Sequence, residues 1–169
     1  MSIELCIARS ECETLLEHDL YDDFVRTMKT IRDKNLKLYN DLFMNGEMLI
    51  DIVFKYDIKY GELLLAMGCN VNAKTKRGRN ALFFASDVEW VDLLVSHGID
   101  TTVEDNAGRT ALHFASMIRN VNVMRKLLEM GMNPNKATED DWTPKMYASK
   151  GIGGDKDRAL ELLEQYSSK

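Results

Sequence analysis

The 169-residue sequence has little proline, glycine or cysteine, with 2, 10 and 3 residues of each type. This scarcity of proline and glycine excludes collagen-like repeats, and 45% hydrophobic with 29% charged residues is typical of a globular chain. The three cysteines, Cys6, Cys12 and Cys69, are odd in number and lack the paired short spacings of a disulfide framework or a structural zinc site. We therefore expect them to be reduced and mostly buried.

Long hydrophobic runs are also missing. The apolar stretch at residues 63–67 is far shorter than the roughly 20 residues that a membrane-spanning helix needs. The first residues lack the basic-then-apolar pattern of an export signal. The sequence predicts a soluble cytoplasmic protein without a membrane partner, and the nucleus is a second candidate compartment.

Basic residues are outnumbered, since 22 Lys and Arg stand against 27 Asp and Glu and give a formal net charge of −5. A net negative charge opposes the electrostatic attraction that drives proteins to the phosphate backbone. We expect no nucleic-acid partner.

A repeated segment dominates the second half of the sequence. Residues 78–86 and 108–116 are identical at seven of nine positions and lie 30 residues apart, and a weaker copy at 141–149 follows 33 residues later. Three glycines that end apolar helical patterns keep the same spacings: Gly68, Gly98 and Gly131. Glycine at such a position is typical of a left-handed helix C-cap. Two independent landmarks thus predict one helical unit that recurs along the chain.

These copies resemble the ankyrin-repeat signature Gly-x-Thr-Pro-Leu-His-x-Ala, most closely in Gly-Arg-Thr-Ala-Leu-His-Phe-Ala at residues 108–115. The family's unit is a β-turn finger followed by two antiparallel helices. The resemblance implies an all-α ankyrin-repeat solenoid of helix-turn-helix units with β-turn fingers, with about four repeats plus N-terminal capping helices.

The repeat spacing predicts a single domain over residues 1–169. Its expected parts are atypical capping helices at 1–40, a degenerate repeat at 41–72, repeats at 73–105 and 106–138, and a C-terminal capping repeat at 139–169. The 73–105 repeat is three residues short between Ser86 and Val88, so we expect its first helix to be truncated.

The first helix of each repeat carries local start signals. Thr110 is placed to cap its helix and to contact the His113 ring, so we interpret this histidine as structural rather than catalytic. Asn80 takes the cap position in the preceding repeat, and Thr143 with Pro144 at the first helical position starts the last one.

The sequence shows no pattern of residues that indicates catalysis or metal binding. His18, His97 and His113 share no metal-ligand spacing with each other or with the cysteines. The segment 151–156 lacks the Gly-Lys-Ser/Thr ending of a phosphate-binding loop, so we interpret it as a loose loop. We predict no enzyme activity, no cofactor and no metal.

Charged fingers are the first candidates for partner binding. Four basic residues occur within six positions, namely Lys74, Lys76, Arg77 and Arg79. The next two fingers are acidic, with Asp100, Glu104 and Asp105 in one and Glu139, Asp140 and Asp141 in the other. An edge that changes from basic to acidic suits a protein partner of matching polarity. The alternative is that these residues are simply solvated.

Aromatic residues are the second candidates. One position of each repeat reads Ile52, Phe84, Phe114 and Tyr147, and these side chains should form a column. They either anchor a partner or pack between adjacent first helices. Trp142 lies at a finger, where its large apolar ring would be exposed to solvent unless it folds back or contacts a partner.

Ankyrin stacks bind proteins, so the resemblance implies a non-enzymatic protein-binding module. Short degenerate stacks like this one are similar to the viral inhibitor-κB-like ankyrin proteins, notably those of parasitoid-wasp viruses. That likeness implies sequestration of Rel/NF-κB-type transcription factors and suppression of host immune signalling. No serine follows an aspartate in this sequence, so the Asp-Ser-Gly degron of inhibitor-κB is missing. The alternative is an effector or scaffold that binds a different host protein, and the oligomeric state stays open.

Overall fold

The computed structural model describes residues 3–168, with the backbone alone for residues 3–6 and for Met44. This part of the chain contains ten α-helices and no β-strand, which confirms the predicted all-α fold class. None of the helices among these residues is long and apolar enough to cross a bilayer. Contacts divide the chain into two compact units, Met1–Ala73 and Lys74–Lys169, called the N-terminal and C-terminal units below.

The N-terminal unit is a set of helices closed by an aromatic core. Its elements are α1 (Ile3–Glu17), α2 (Tyr21–Lys34), α3 (Leu36–Tyr39), a π-helical segment (Asn40–Met44), α4 (Glu47–Lys55) and α5 (Ile58–Ala66). The Phe24 ring lies edge-on to Phe43 at 6.1 Å and to Tyr60 at 5.3 Å between centroids, a favourable aromatic arrangement. The apolar residues of α4 are buried: Met48, Leu49, Ile50, Ile52 and Val53.

The cysteines of this unit behave as apolar side chains. Cys12 and Cys69 are buried and free, as expected. Burial raises the pKa of the Cys12 thiol to about 12 and that of Cys69 to about 11, so neither forms a reactive thiolate near neutral pH. The side chain of Cys6 lies outside the described residues.

The C-terminal unit contains three helix pairs. Its elements are a 3₁₀ helix (Ala81–Phe84), α6 (Val88–Ser96), α7 (Ala111–Met117), α8 (Val121–Glu129), α9 (Pro144–Lys150) and α10 (Lys156–Ser167). The four-residue 3₁₀ helix confirms the truncated first helix predicted for this repeat. Only residues 85–87 connect it to α6, whose N-cap Asp87 accepts from the Trp90 amide at 2.9 Å.

A turn-like finger precedes each pair. We call residues 75–79, 105–109 and 138–142 fingers 1, 2 and 3. In each finger the amide of the first residue donates to the carbonyl of the last, at 2.8, 2.8 and 3.0 Å. The fourth residue has a positive φ: Gly78 at 80°, Gly108 at 72° and Asp141 at 59°. The three fingers therefore share one backbone frame despite their different side chains.

His113 joins finger 3 to the repeat before it. Its Nδ1 accepts from the Thr110 amide at 3.1 Å and lies 2.9 Å from the Thr110 hydroxyl, so the expected contact is confirmed. Its Nε2 donates to the carbonyls of Lys136 at 3.1 Å and Trp142 at 3.2 Å. Burial lowers the pKa of the ring, which therefore stays neutral and serves as a structural link.

Asn80 does not cap its helix as expected. It stands at the N-cap of the 3₁₀ helix without a side-chain cap bond, and its Nδ2 instead donates to the Asp100 carbonyl at 2.8 Å. Phe83 stands in this repeat where the next one has His113. The side-chain amide of Asn80 therefore makes the hydrogen bond to a later carbonyl here, whereas the histidine ring makes such bonds one repeat later. Thr143 does cap α9, where it accepts from the Met146 amide.

The 151–156 loop is also not loose. The Arg119 guanidinium donates to the carbonyls of Ala148 at 2.9 Å, of Gly153 at 3.0 Å and of Gly151. A Cβ atom on Gly151 would lie 2.0 Å from the Met117 carbonyl oxygen. The glycines therefore allow two inter-helix loops to touch, and one arginine holds them together.

Replacement of Gly108 by alanine should cost more stability than replacement of Gly131. Both glycines have a positive φ, which costs an L-residue about 1–2 kcal/mol. A Cβ on Gly131 meets nothing within 4 Å, whereas one on Gly108 lies 3.2 Å from the Glu139 amide nitrogen of finger 3. We expect urea unfolding to give about 1 kcal/mol for Gly131→Ala and about 2 kcal/mol for Gly108→Ala. Equal losses would contradict close contact between fingers 2 and 3.

His113 should make the stability pH-dependent. Its folded-state pKa is depressed below the unfolded value of about 6.5, so its contribution is full above that pH and declines as the pH falls below it. His113→Gln should flatten the fall in unfolding free energy between pH 7 and pH 5. The control His97→Gln removes a histidine at an exposed position, so comparison with it separates the loss of the buried ring from the loss of any histidine.

Candidate protein-interaction surface

The tips of the three fingers form one continuous edge. The backbone amide of Asn106 in finger 2 donates to the Arg77 carbonyl of finger 1 at 2.9 Å. The backbone amide of Glu139 in finger 3 donates to the Ala107 carbonyl of finger 2 at 3.2 Å. We define the finger edge as three equivalent tip pairs: Lys76 and Arg77, Asn106 and Ala107, and Glu139 and Asp140. Because the backbone bonds fix these tips to one another, the edge is preorganised.

The charge of the edge reverses from one end to the other. Lys76 and Arg77 are exposed in finger 1, and Glu139 and Asp140 are exposed in finger 3, where the exposed Asp141 follows. Within the described part of the chain, none of these five side chains forms a salt bridge. The two outer tips therefore present opposite, uncompensated charges to solvent.

The acid of finger 2 is internal. Asp105, predicted as a partner-binding residue, is 6% exposed and its carboxylate accepts from the Arg79 Nε at 2.9 Å and the Arg109 Nε at 2.9 Å. The amides of Ala107 and Arg109 donate to its other oxygen at 3.0 and 3.1 Å. Burial alone would raise the pKa of Asp105, but the guanidinium and amide donors outweigh it and lower the pKa to about 2. Asp105 holds fingers 1 and 2 together and adds no charge to the finger edge.

Arg79 is likewise not on the surface where the sequence placed it. It is 8% exposed, and its guanidinium lies 4.2 Å from the centroid of the Phe114 ring, with Arg109 at 5.4 Å. Such cation–π contacts add to the ion pairs with Asp105. A carboxylate, two guanidiniums and a ring thus form one packed cluster between the first two fingers.

The remaining predicted charges are exposed. Lys74 lies at the surface beside finger 1, and Glu104 precedes finger 2 and pairs with Lys136 at 2.7 Å. Glu104 is therefore partly compensated, which leaves finger 2 close to neutral. Sequence reasoning missed the role of Asn106, whose Nδ2 donates to the Lys76 carbonyl at 3.1 Å. The sequence signal for this contact is the spacing, because Asn106 stands one 30-residue repeat after Lys76.

The aromatic column is packed in part. Ile52 is fully buried in the N-terminal unit, while Phe84, Phe114 and Tyr147 are half-buried. Phe114 contacts Phe83 with ring centroids 5.4 Å apart. These three aromatic rings therefore pack within the C-terminal unit and still expose part of their surface.

Trp142 folds back onto its own repeat. Its ring centroid lies 5.4 Å from that of Tyr147, and the Tyr147 ring also lies 5.4 Å from His113. Trp142 nevertheless stays 36% exposed. It is a large aromatic surface beside the acidic tip, and tryptophan is among the residues enriched at protein interfaces.

Elsewhere the described residues contain shallow clefts. The N-terminal unit has an open cleft of about 470 Å³ lined by charged and aromatic residues that include Glu17, Asp19, Lys55 and Tyr56. Among the side chains that the structure describes, no three of His, Cys, Asp or Glu lie close enough together to hold a metal ion.

Asp105→Asn should destabilise the protein strongly because it leaves the buried guanidinium of Arg79 and the part-buried guanidinium of Arg109 without a charged partner. We expect a loss of roughly 3 kcal/mol in urea unfolding at pH 7. The control Glu104→Gln breaks an exposed pair and should cost less than about 1 kcal/mol.

The same variant should differ from the parent in acid. The pKa of Asp105 is lowered from 3.8 to about 2, so its contribution is present above pH 4 and lost as the pH falls toward 2. That contribution is about 2 kcal/mol, and Asp105→Asn should lack this part of the acid-induced loss. An identical acid dependence in both proteins would contradict the structural role of Asp105.

The comparisons with known proteins agree with this geometry. The family model for ankyrin repeats in three copies matches residues 49–138 and 87–169, whereas no curated protein matches the chain. These two ranges together cover well over half of the 169 residues. The chain belongs to the ankyrin-repeat family.

Proposed function

We propose that this chain is a non-enzymatic protein-binding module that engages its partner through the finger edge. Ankyrin repeats are protein-interaction units, and the observation that supports this edge is its shared backbone frame. Three fingers with the same hydrogen bonds present a basic, a neutral and an acidic tip at equivalent positions. A frame that stays constant while its exposed side chains vary is suited to specific recognition.

The energetics favour recognition at this edge. Every finger is closed and joined to its neighbour by backbone hydrogen bonds, so little conformational entropy is lost when a partner docks. The charged tips steer a partner of opposite polarity, and the exposed part of Trp142 offers an apolar anchor.

The first partner to test is a Rel/NF-κB-type transcription factor. This choice rests on the resemblance of short degenerate ankyrin stacks to viral inhibitor-κB-like proteins, and Asp-Ser-Gly does not occur in these 169 residues. In this proposal the chain sequesters the transcription factor in the host cytoplasm without degron control and so suppresses immune signalling. The alternative is an effector or scaffold that uses the same edge on a different host protein.

Reversal of the basic tip tests the proposed edge. Lys76→Glu/Arg77→Glu should weaken binding to a purified Rel-homology protein roughly tenfold at 50 mM salt, and less at 300 mM, because salt screens exposed charges. Isothermal titration calorimetry measures both affinities. The control Lys150→Glu/Lys156→Glu makes the same change of net charge on α9 and α10 and should bind like the parent.

Two results would count against parts of this proposal. If the parent chain does not bind Rel proteins, the inhibitor-κB role is wrong and the alternative is left. If a purified partner binds both double variants as tightly as the parent, the basic tip is not part of the interface.

A further inference from the structure

The charge pattern of the finger edge reverses sign about its centre. The tip pairs occupy the same two positions of three fingers that share one closing hydrogen bond, and they carry two positive charges, none, and two negative charges in order. The reversal is centred on finger 2, where Asn106 and Ala107 form the neutral tip. Such an edge is complementary to itself when one copy is turned end for end.

A two-fold rotation about finger 2 sets each basic tip opposite the acidic tip of the other copy. Both outer contacts are then attractive and identical, as in an isologous interface. A parallel arrangement would instead oppose like charges at both ends, which is unfavourable. The charge pattern therefore selects one orientation.

The central tip permits close approach. Ala107 is small and half-buried, and the Asn106 side chain is held by its bond to the Lys76 carbonyl. The one acid of finger 2, Asp105, is internal and bound by Arg79 and Arg109. One carboxylate with two guanidiniums has a net positive charge, but Arg79 is buried and Arg109 is part-buried, so the tip pair itself places no charge at the centre of the edge.

We propose that two copies of this chain associate antiparallel through their finger edges, with the Lys76–Arg77 tip of each copy against the Glu139–Asp140 tip of the other. Self-association covers the surface that the proposed function assigns to the partner, so it would regulate partner access. Only that regulatory role rests on the proposed function. The contact itself is polar and exposed, so the dimer is weak and salt-dependent.

Charge exchange between two variants tests this arrangement with purified chain alone. The variants are Lys76→Glu/Arg77→Glu, with two acidic outer tips, and Glu139→Lys/Asp140→Lys, with two basic ones. Asp141 is left unchanged because of its positive φ. Sedimentation equilibrium at 30 mM salt should give a monomer–dimer equilibrium for the parent, which shifts to monomer at 500 mM.

Each variant alone should dimerise at least tenfold more weakly than the parent, because both of its outer contacts join like charges. An equimolar mixture should form a heterodimer, since every outer contact then joins opposite charges. A chain that carries all four reversals should dimerise like the parent. The matched controls Lys150→Glu/Lys156→Glu and Asp157→Lys/Glu161→Lys, on α9 and α10, should leave parental dimerisation intact.

Several outcomes would overturn the proposal. They are a parent that stays monomeric at 30 mM salt, single variants that dimerise like the parent, and a mixture that yields no heterodimer. Open-ended oligomers in place of dimers would show head-to-tail contacts and would rule out the two-fold arrangement. Circular dichroism and thermal unfolding verify that each variant is folded. Failure here leaves the proposed function standing, because partner binding is measured separately.

Discussion

The buried carboxylate of Asp105 is the contact on which the arrangement of fingers 1 and 2 depends. It accepts hydrogen bonds from the guanidiniums of both fingers and from two backbone amides, so four donor groups offset the cost of its desolvation. Phe114 then covers the two arginines through cation–π contacts. A single acid thus fixes two fingers and one helix relative to one another, and leaves the edge above it free of its charge.

The finger frame explains how different sequences give one surface. The first residue of each finger supplies a side-chain oxygen to the amide of the last: Thr75 at 3.3 Å, Asp105 at 3.1 Å and Thr138 at 3.1 Å. A hydroxyl or a carboxylate serves equally well, because the frame requires only an acceptor. This bond and the backbone closure hold the turn without any contribution from the tip side chains. They are free to differ, and their differences create the polarity of the edge.

Much of this fold could be predicted from the sequence because its signals are local. The left-handed glycines, the Thr110–His113 contact and the truncated first helix each depend on a few neighbouring residues, and each is confirmed. The burial of Arg79 and Asp105 could not be predicted in that way. These residues are 26 positions apart, and charge in a sequence window does not reveal which side chains meet across repeats. Alignment of the three fingers does give one indication of the internal role of Asp105, since the other two fingers have threonine at that position.

The net charge also describes the candidate site poorly, because it does not show where the charged side chains lie in space. The value of −5 sums residues over the whole chain, whereas an approaching protein feels mainly those within a Debye length of about 8 Å. Along the finger edge the four tip charges cancel in sum but not in position. An edge of this kind attracts a surface with the opposite order of charges and repels one with the same order. Its selectivity therefore comes from the order in which the backbone frame presents the tips, which links the internal role of Asp105 to the surface that a partner would meet.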